Sequence, residues 1–199
     1  MSAHEEKVGT ALLLIDIQNE VMHPDGQLRG DLPAAADRLV HATRQLVAWA
    51  RERSYPVIWV RMAFRPGMVD AGRGVRMNTS VTAGRLVDGS WGAEILEGLG
   101  RRPDDVVVTK KRSSAFFNTD LDFILNGLGV RRLVVGGTST NWAIESTVRD
   151  GDSRDLEMIV VREATASRMA ELHEPSLRSM ASRYARILSL DEVSKLSPD

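Results

Sequence analysis

The stretch Leu133-Val134-Val135-Gly136-Gly137-Thr138-Ser139-Thr140-Asn141-Trp142-Ala143-Ile144-Glu145-Ser146-Thr147 decides the fold. Leu133 to Val135 is a short apolar run of the kind that forms a strand covered on both faces, as in a parallel sheet. Gly136 and Gly137 let the backbone bend or let another group approach it closely. Thr140 or Asn141 can cap a following helix. A helix start of this kind directs free N–H groups and the positive end of its dipole at the carboxyl edge of the sheet, where open α/β sheets carry their sites. The stretch is therefore a cradle for an anion or a developing oxyanion. Ala143, which faces that cradle, brings no reactive group.

Outward from this stretch, strands and helices alternate. Thr10 to Ile17 is a near-continuous apolar strand ending in Asp16. After a polar loop, Asp31 can cap a helix with Pro33 in its first turn, whose inner face is Ala35, Leu39, Ala42, Leu46 and Trp49. Val57 to Met62 is the second strand. Ala63 to Ser90 shows no clear period, and a loop of that length in a compact domain usually serves function. Gly92 to Leu99 reads as a short helix and Asp105 to Thr109 as the third strand, delivering Lys110 and Lys111. Thr119 to Leu125 reads as a helix capped by Thr119. Met158 to Val161 is the fifth strand, Ser176 to Tyr184 part of a helix, and Arg186 to Leu190 a final strand. This alternation implies a single α/β domain over residues 1–199, with a parallel sheet and helices on both faces.

The composition is that of a globular protein: 43% apolar and 27% charged residues, with a net charge of −1. That balance gives no pull toward nucleic acid or an anionic membrane. Ala11 to Ile15 is too short to span a bilayer, and Met1 to Lys7 is acidic and polar, so a cytoplasmic protein is expected. There is no cysteine, which excludes disulfides, zinc–thiolate sites and a cysteine nucleophile in this chain. His4, His23, His41 and His173 are scattered, so no metal site and no cofactor are expected.

Asp16, Lys110 and Ala143 fall at or just beyond the carboxyl ends of three strands. A charge at the end of an apolar strand costs desolvation unless it is paired or used. Either residue alone is simplest as half of a buried ion pair. The two together, beside a Gly-Gly turn and a helix start, favour a site.

Four motifs, in order, resemble the isochorismatase-like cysteine hydrolases. Asp16-Ile17-Gln18-Asn19 matches D-x-Q-N, and Asp88-Gly89-Ser90-Trp91-Gly92-Ala93-Glu94 matches D-G-x-x-G-A-E. Lys110-Lys111-Arg112-Ser113-Ser114-Ala115-Phe116 matches K-x-R-x-S-A-F, and Gly137 to Thr147 matches G-x-x-T-N-x-C-V-E-S-T. The resemblance implies a six-stranded sheet in the order 3-2-1-4-5-6, a small-molecule substrate and a homodimer or homotetramer. Its Asp-Lys-Cys triad falls on Asp16, Lys110 and Ala143, with alanine at the nucleophile's place. It also implies a non-proline cis bond at Thr138–Ser139, and oxyanion donors near Ser139 and Ala143. The D-x-H metal site of the nicotinamidase branch has no counterpart in Arg61-Met62-Ala63-Phe64-Arg65-Pro66.

Gln18, Arg61, Phe64, Trp91 and Trp142 are the candidates for substrate contact, the aromatics being equally explicable as core. The activity implied is hydrolysis of a small amide, carbamoyl or ureido compound, with this chain a substrate-trapping or inactive form. The alternative is a natural cysteine-free member. That member would be either a vinyl-ether hydrolase using Asp16 as general acid or a non-catalytic binding or scaffold protein.

Overall fold

A computed structural model of the chain describes residues 9–77 and 84–196. Six parallel strands form one sheet in the order β3-β2-β1-β4-β5-β6. They are β1 (Gly9–Ile15), β2 (Val57–Met62), β3 (Val106–Lys110), β4 (Val130–Thr138), β5 (Glu157–Ala166) and β6 (Arg186–Leu188). The expected single α/β domain and strand order are both present.

Successive side chains of a strand point to opposite faces, and this divides the core in two. Leu12 and Leu14 of β1 join Leu39, Leu46 and Trp49 of α2 (Ala36–Glu52) on one face. Leu13 and Ile15 join the other, with Leu121 and Leu125 of α4 (Leu121–Gly127), Val148 of α5 (Glu145–Asp152), and Leu177 and Met180 of α6 (His173–Ala181). Two short helices, α1 (Asn19–Met22) and α3 (Arg73–Met77), lie in the loops after β1 and β2, and α7 (Leu190–Ser194) ends the described chain.

The boundaries differ from the sequence expectation in informative ways. Gly136 and Gly137 lie within β4 and not in a turn, because the strand runs on to Thr138. What Gly137 supplies is close approach. Its φ is +125°, and a Cβ there would stand 2.0 Å from the Ile15 carbonyl oxygen. β5 continues to Ala166 through a register irregularity opposite Val135–Gly137.

Gly92 to Leu99 is not a helix. Only a single 3-10 turn forms at Trp91–Ala93, since Leu96 N–H is drawn to the Ile17 carbonyl and Gly98 and Gly100 take positive φ. Asp31 does not cap α2; its carboxylate accepts Ala170 N–H at 3.0 Å, and a 3-10 turn, Leu32–Ala34, intervenes. Thr119 lies outside α4, though its hydroxyl accepts Leu121 N–H. Tyr184 lies beyond the end of α6.

Gly137→Ala must displace the β1 backbone and also adopt a strained φ. It should destabilise the chain by about 3 kcal/mol or more, within the range of severe core lesions. A fall of this size in the unfolding free energy, read from the shift of the chemical denaturation midpoint at unchanged m-value, is expected; an unchanged midpoint would mean that the β1–β4 contact relaxes freely.

Candidate active site

The site is assembled where the carboxyl ends of β1, β3 and β4 meet. Asp16 follows β1 with φ +54°, which turns it out of the strand direction. Its backbone is held on both sides: its N–H donates to Val60 O at 2.8 Å, and its carbonyl accepts from Thr138 Oγ1 at 3.0 Å. Lys110 ends β3 and is wholly buried. Its Nζ lies 2.8 Å from Asp16 Oδ2 and donates to the Arg112 carbonyl at 3.1 Å. Asp16 Oδ1 is buried and has no hydrogen-bond partner among the described residues. Burial pushes the Asp16 carboxyl above the ordinary carboxylate value, with Lys110 pulling in the opposite direction.

β4 delivers the third component. The Thr138–Ser139 peptide is cis. Thr140–Ile144 is a π-helical turn, wider than an α-turn, of a kind frequent at functional sites. The Ser139 carbonyl accepts both Trp142 N–H and Ile144 N–H, at 3.1 and 3.2 Å. Thr140 and Asn141 do not cap the helix. Thr140 Oγ1 pairs with His173 Nδ1 at 2.9 Å, and Asn141 Oδ1 accepts from Ser167 Oγ at 2.7 Å. Thr147 Oγ1 donates to the Ala143 carbonyl at 2.7 Å and accepts Ala115 N–H at 3.0 Å, which ties the turn to the segment after β3.

Asp16, Lys110, Thr138, Ser139 and Ala143 all line one cavity of about 480 Å³, the size of a small-molecule site. Val21, Leu28 and Leu86 give it apolar walls. Residues 72–75 of the long loop after β2 also line it.

A family model, the isochorismatase domain, matches residues 10–192. The chain belongs to the isochorismatase family. It is 33% identical to the ureidoacrylate amidohydrolase RutB of Methylobacterium radiotolerans, over 86% of this chain and 72% of that protein. A cysteine hydrolase from Pseudomonas syringae pv. phaseolicola superposes with a TM-score of 0.87 at 29% identity, covering 96% of this chain and 92% of that one. N-carbamoylsarcosine amidase from Thermoplasma acidophilum superposes with a TM-score of 0.77 at 26% identity, covering 92% and 98%. The family is one of hydrolases. No helix among the described residues is long and apolar enough to cross a membrane.

Within this isochorismatase-family site, the five candidate contact residues separate. Gln18 and Trp142 border the cavity; Arg61, Phe64 and Trp91 do not. The Gln18 amide is already engaged, donating to Met62 O and Ala93 O and accepting Met62 N–H. Arg61 is turned to Asp88 at 2.6 Å and Glu94 at 3.3 Å. Phe64 is fully buried in the core. Trp91 stands edge-on to His23, with ring centroids 5.1 Å apart.

Arg168 is a cavity residue that the sequence did not suggest. Its guanidinium lies 5.6 Å from the Trp142 ring centroid, and its Nε is buried without a hydrogen-bond partner among the described residues. Burial lowers its pKa from the ordinary arginine value. The apolar run that reads as the fifth strand stops at Val161, which leaves Arg168 seven residues out in apparent loop. The strand in fact runs to Ala166 and sets Arg168 at the same sheet edge as Asp16 and Lys110.

A carboxyl whose pKa is raised by folding contributes stability that is fully present below its ordinary value and is lost as pH rises through the raised one. Asp16→Asn removes that dependence. The stability of the unaltered chain relative to Asp16→Asn should therefore decline with rising pH from about 4 upward. Denaturation midpoints across that range measure it. The opposite slope would mean that Lys110 outweighs burial.

Proposed function

We propose that this site acts on the C–N bond of a small amide, carbamoyl or ureido compound, and that Ala143 stands where the covalent nucleophile belongs. The chain then binds such a compound and cleaves it negligibly. One observation carries this reading. A buried Asp16–Lys110 pair keeps one carboxylate oxygen free in the cavity that also receives Ala143 and Ser139. The names of the relatives, an amidohydrolase of ureidoacrylate and an amidase of N-carbamoylsarcosine, point to the same bond type.

A thiol on residue 143 would complete the chemistry. Asp16 would take its proton, and Lys110 would favour the thiolate. The thiolate would attack the carbonyl carbon, with N–H groups near Ser139 and Ala143 holding the oxyanion. Collapse would release the amine with the proton from Asp16, and water would then hydrolyse the thioester. Arg168, partly buried and without a counter-ion among the described residues, suits a carboxylate on the same compound. By likeness to its family the protein assembles as a homodimer or homotetramer, which light scattering measures directly.

Ala143→Cys should raise hydrolysis of a carbamoyl or ureido acid by about three orders of magnitude or more over the chain as it stands. Asp16→Asn in that background should abolish the gain. A folded Ala143→Cys protein that is inert across a panel of such compounds overturns the proposal.

The raised Asp16 carboxyl favours a second reading, in which Asp16 protonates a vinyl ether with no thiol needed. Isochorismate turnover by the unaltered chain, lost in Asp16→Asn, is its signature.

A further inference from the structure

Three arginines border the cavity, and none is neutralised by a carboxylate among the described residues. Arg73, Arg112 and Arg168 line it together with Lys110, and the one carboxylate among the lining residues, Asp16, is engaged by Lys110 at 2.8 Å. Arg73, Arg112 and Arg168 form no ion pair with a carboxylate among the described residues. The Asp70 carboxylate, which is close in sequence to Arg73, is directed elsewhere: to Lys111 Nζ at 3.4 Å and to Arg65 N–H at 3.0 Å.

Arg112 is oriented without being discharged. Its Nη1 donates to two backbone carbonyls, Asp70 O at 3.0 Å and Lys111 O at 2.7 Å. The side chain lies against Gly72, where a Cβ would stand 3.1 Å from Nε and 3.2 Å from Cζ. Carbonyls fix the direction of a guanidinium but leave its full charge, and the planar fork suits a carboxylate. Arg73 follows Gly72 directly, and its side chain has no hydrogen-bond partner among the described residues.

The sheet order sets Arg112 and Arg168 on opposite sides of the reaction centre. Arg112 follows β3 and Arg168 follows β5, with β2, β1 and β4 between them. Four strand spacings amount to roughly 19 Å of sheet, and the two long side chains reach back toward a cavity floored by Asp16 after β1 and Ala143 after β4.

We propose that Arg112 and Arg73 form a second anion subsite, so that the ligand is a dianion. It is a carbamoyl or ureido diacid with one acid group on Arg168 and the other on Arg112 and Arg73. This inference rests on the C–N reading of the same cavity for the ureido part of the ligand only.

Titration calorimetry on the full chain tests it with four probes. N-carbamoylaspartate carries the ureido group and two carboxylates, and N-carbamoyl-β-alanine the ureido group and one. Succinate and butyrate carry two and one carboxylates without the ureido group. N-carbamoylaspartate should bind about ten-fold or more tightly than N-carbamoyl-β-alanine. Arg73→Gln, which removes no side-chain hydrogen bond or ion pair among the described residues, should remove part of that advantage, and Arg73→Gln with Arg112→Gln all of it. Arg168→Gln should weaken both ureido acids. Equal affinity for the two ureido acids, or an advantage that survives the double variant, overturns the second subsite. If neither ureido acid binds, succinate decides. Binding stronger than that of butyrate, lost in the double variant, keeps the subsite and removes the C–N reading; no such preference removes both.

Discussion

The structure depends on how closely β4 can lie against β1 at the centre of the sheet. Gly137 has no room for a side chain because the backbone of Ile15 occupies that space. From this contact the rest of the site is positioned. Thr138 reaches the Asp16 carbonyl, the cis bond follows, and the π-helical turn begins at Thr140. Asp16 is held between β2 and β4 by its backbone, so its carboxyl has little choice of direction. The polar chemistry of the site is a product of apolar strand packing a few residues away.

The Asp16–Lys110 pair then sets the electrostatics. Lys110 arrives from β3, two strands from β1, and is wholly buried. Burial disfavours the charge on Asp16 and the ammonium favours it. Both effects act on the carboxyl that the proposed acyl transfer would use to take and return a proton. The uncommitted Oδ1 is the structural expression of that balance: one oxygen is spent on the lysine and one is left for whatever occupies the cavity.

The sheet and its order were legible because long buried strands leave continuous apolar runs such as Leu12 to Ile15 and Val57 to Val60. Asp16 and Lys110 were legible because they are charges placed where charge is costly, and Ala143 only through the motif it shares with the cysteine hydrolases. What the sequence hid were features determined by distant backbone groups. Gly92 to Leu99 has helical spacing, yet Ile17 claims the Leu96 N–H. Asp31 has the chemistry of a cap, yet Ala170 claims its carboxylate. Arg61 and Phe64 follow the pattern of contact residues, but Asp88 and Glu94 hold the first and the core encloses the second. Arg168 was hidden by a strand that continues past its apolar run through Arg162 and Glu163.

The π-helical turn is anchored through its main chain at Ser139 and residue 143, while Thr140 and Asn141 are tied by their side chains to His173 and Ser167. The Ser139 carbonyl gathers two amides, and Thr147 grips the carbonyl of residue 143 and not its side chain. Scaffold and reactivity are thereby separated. The Ala143 methyl packs with the buried core and borders the cavity, but none of the turn's hydrogen bonds uses it. Under the proposed reading, a single exchange at that residue would interconvert a catalyst and a receptor of the same molecular shape.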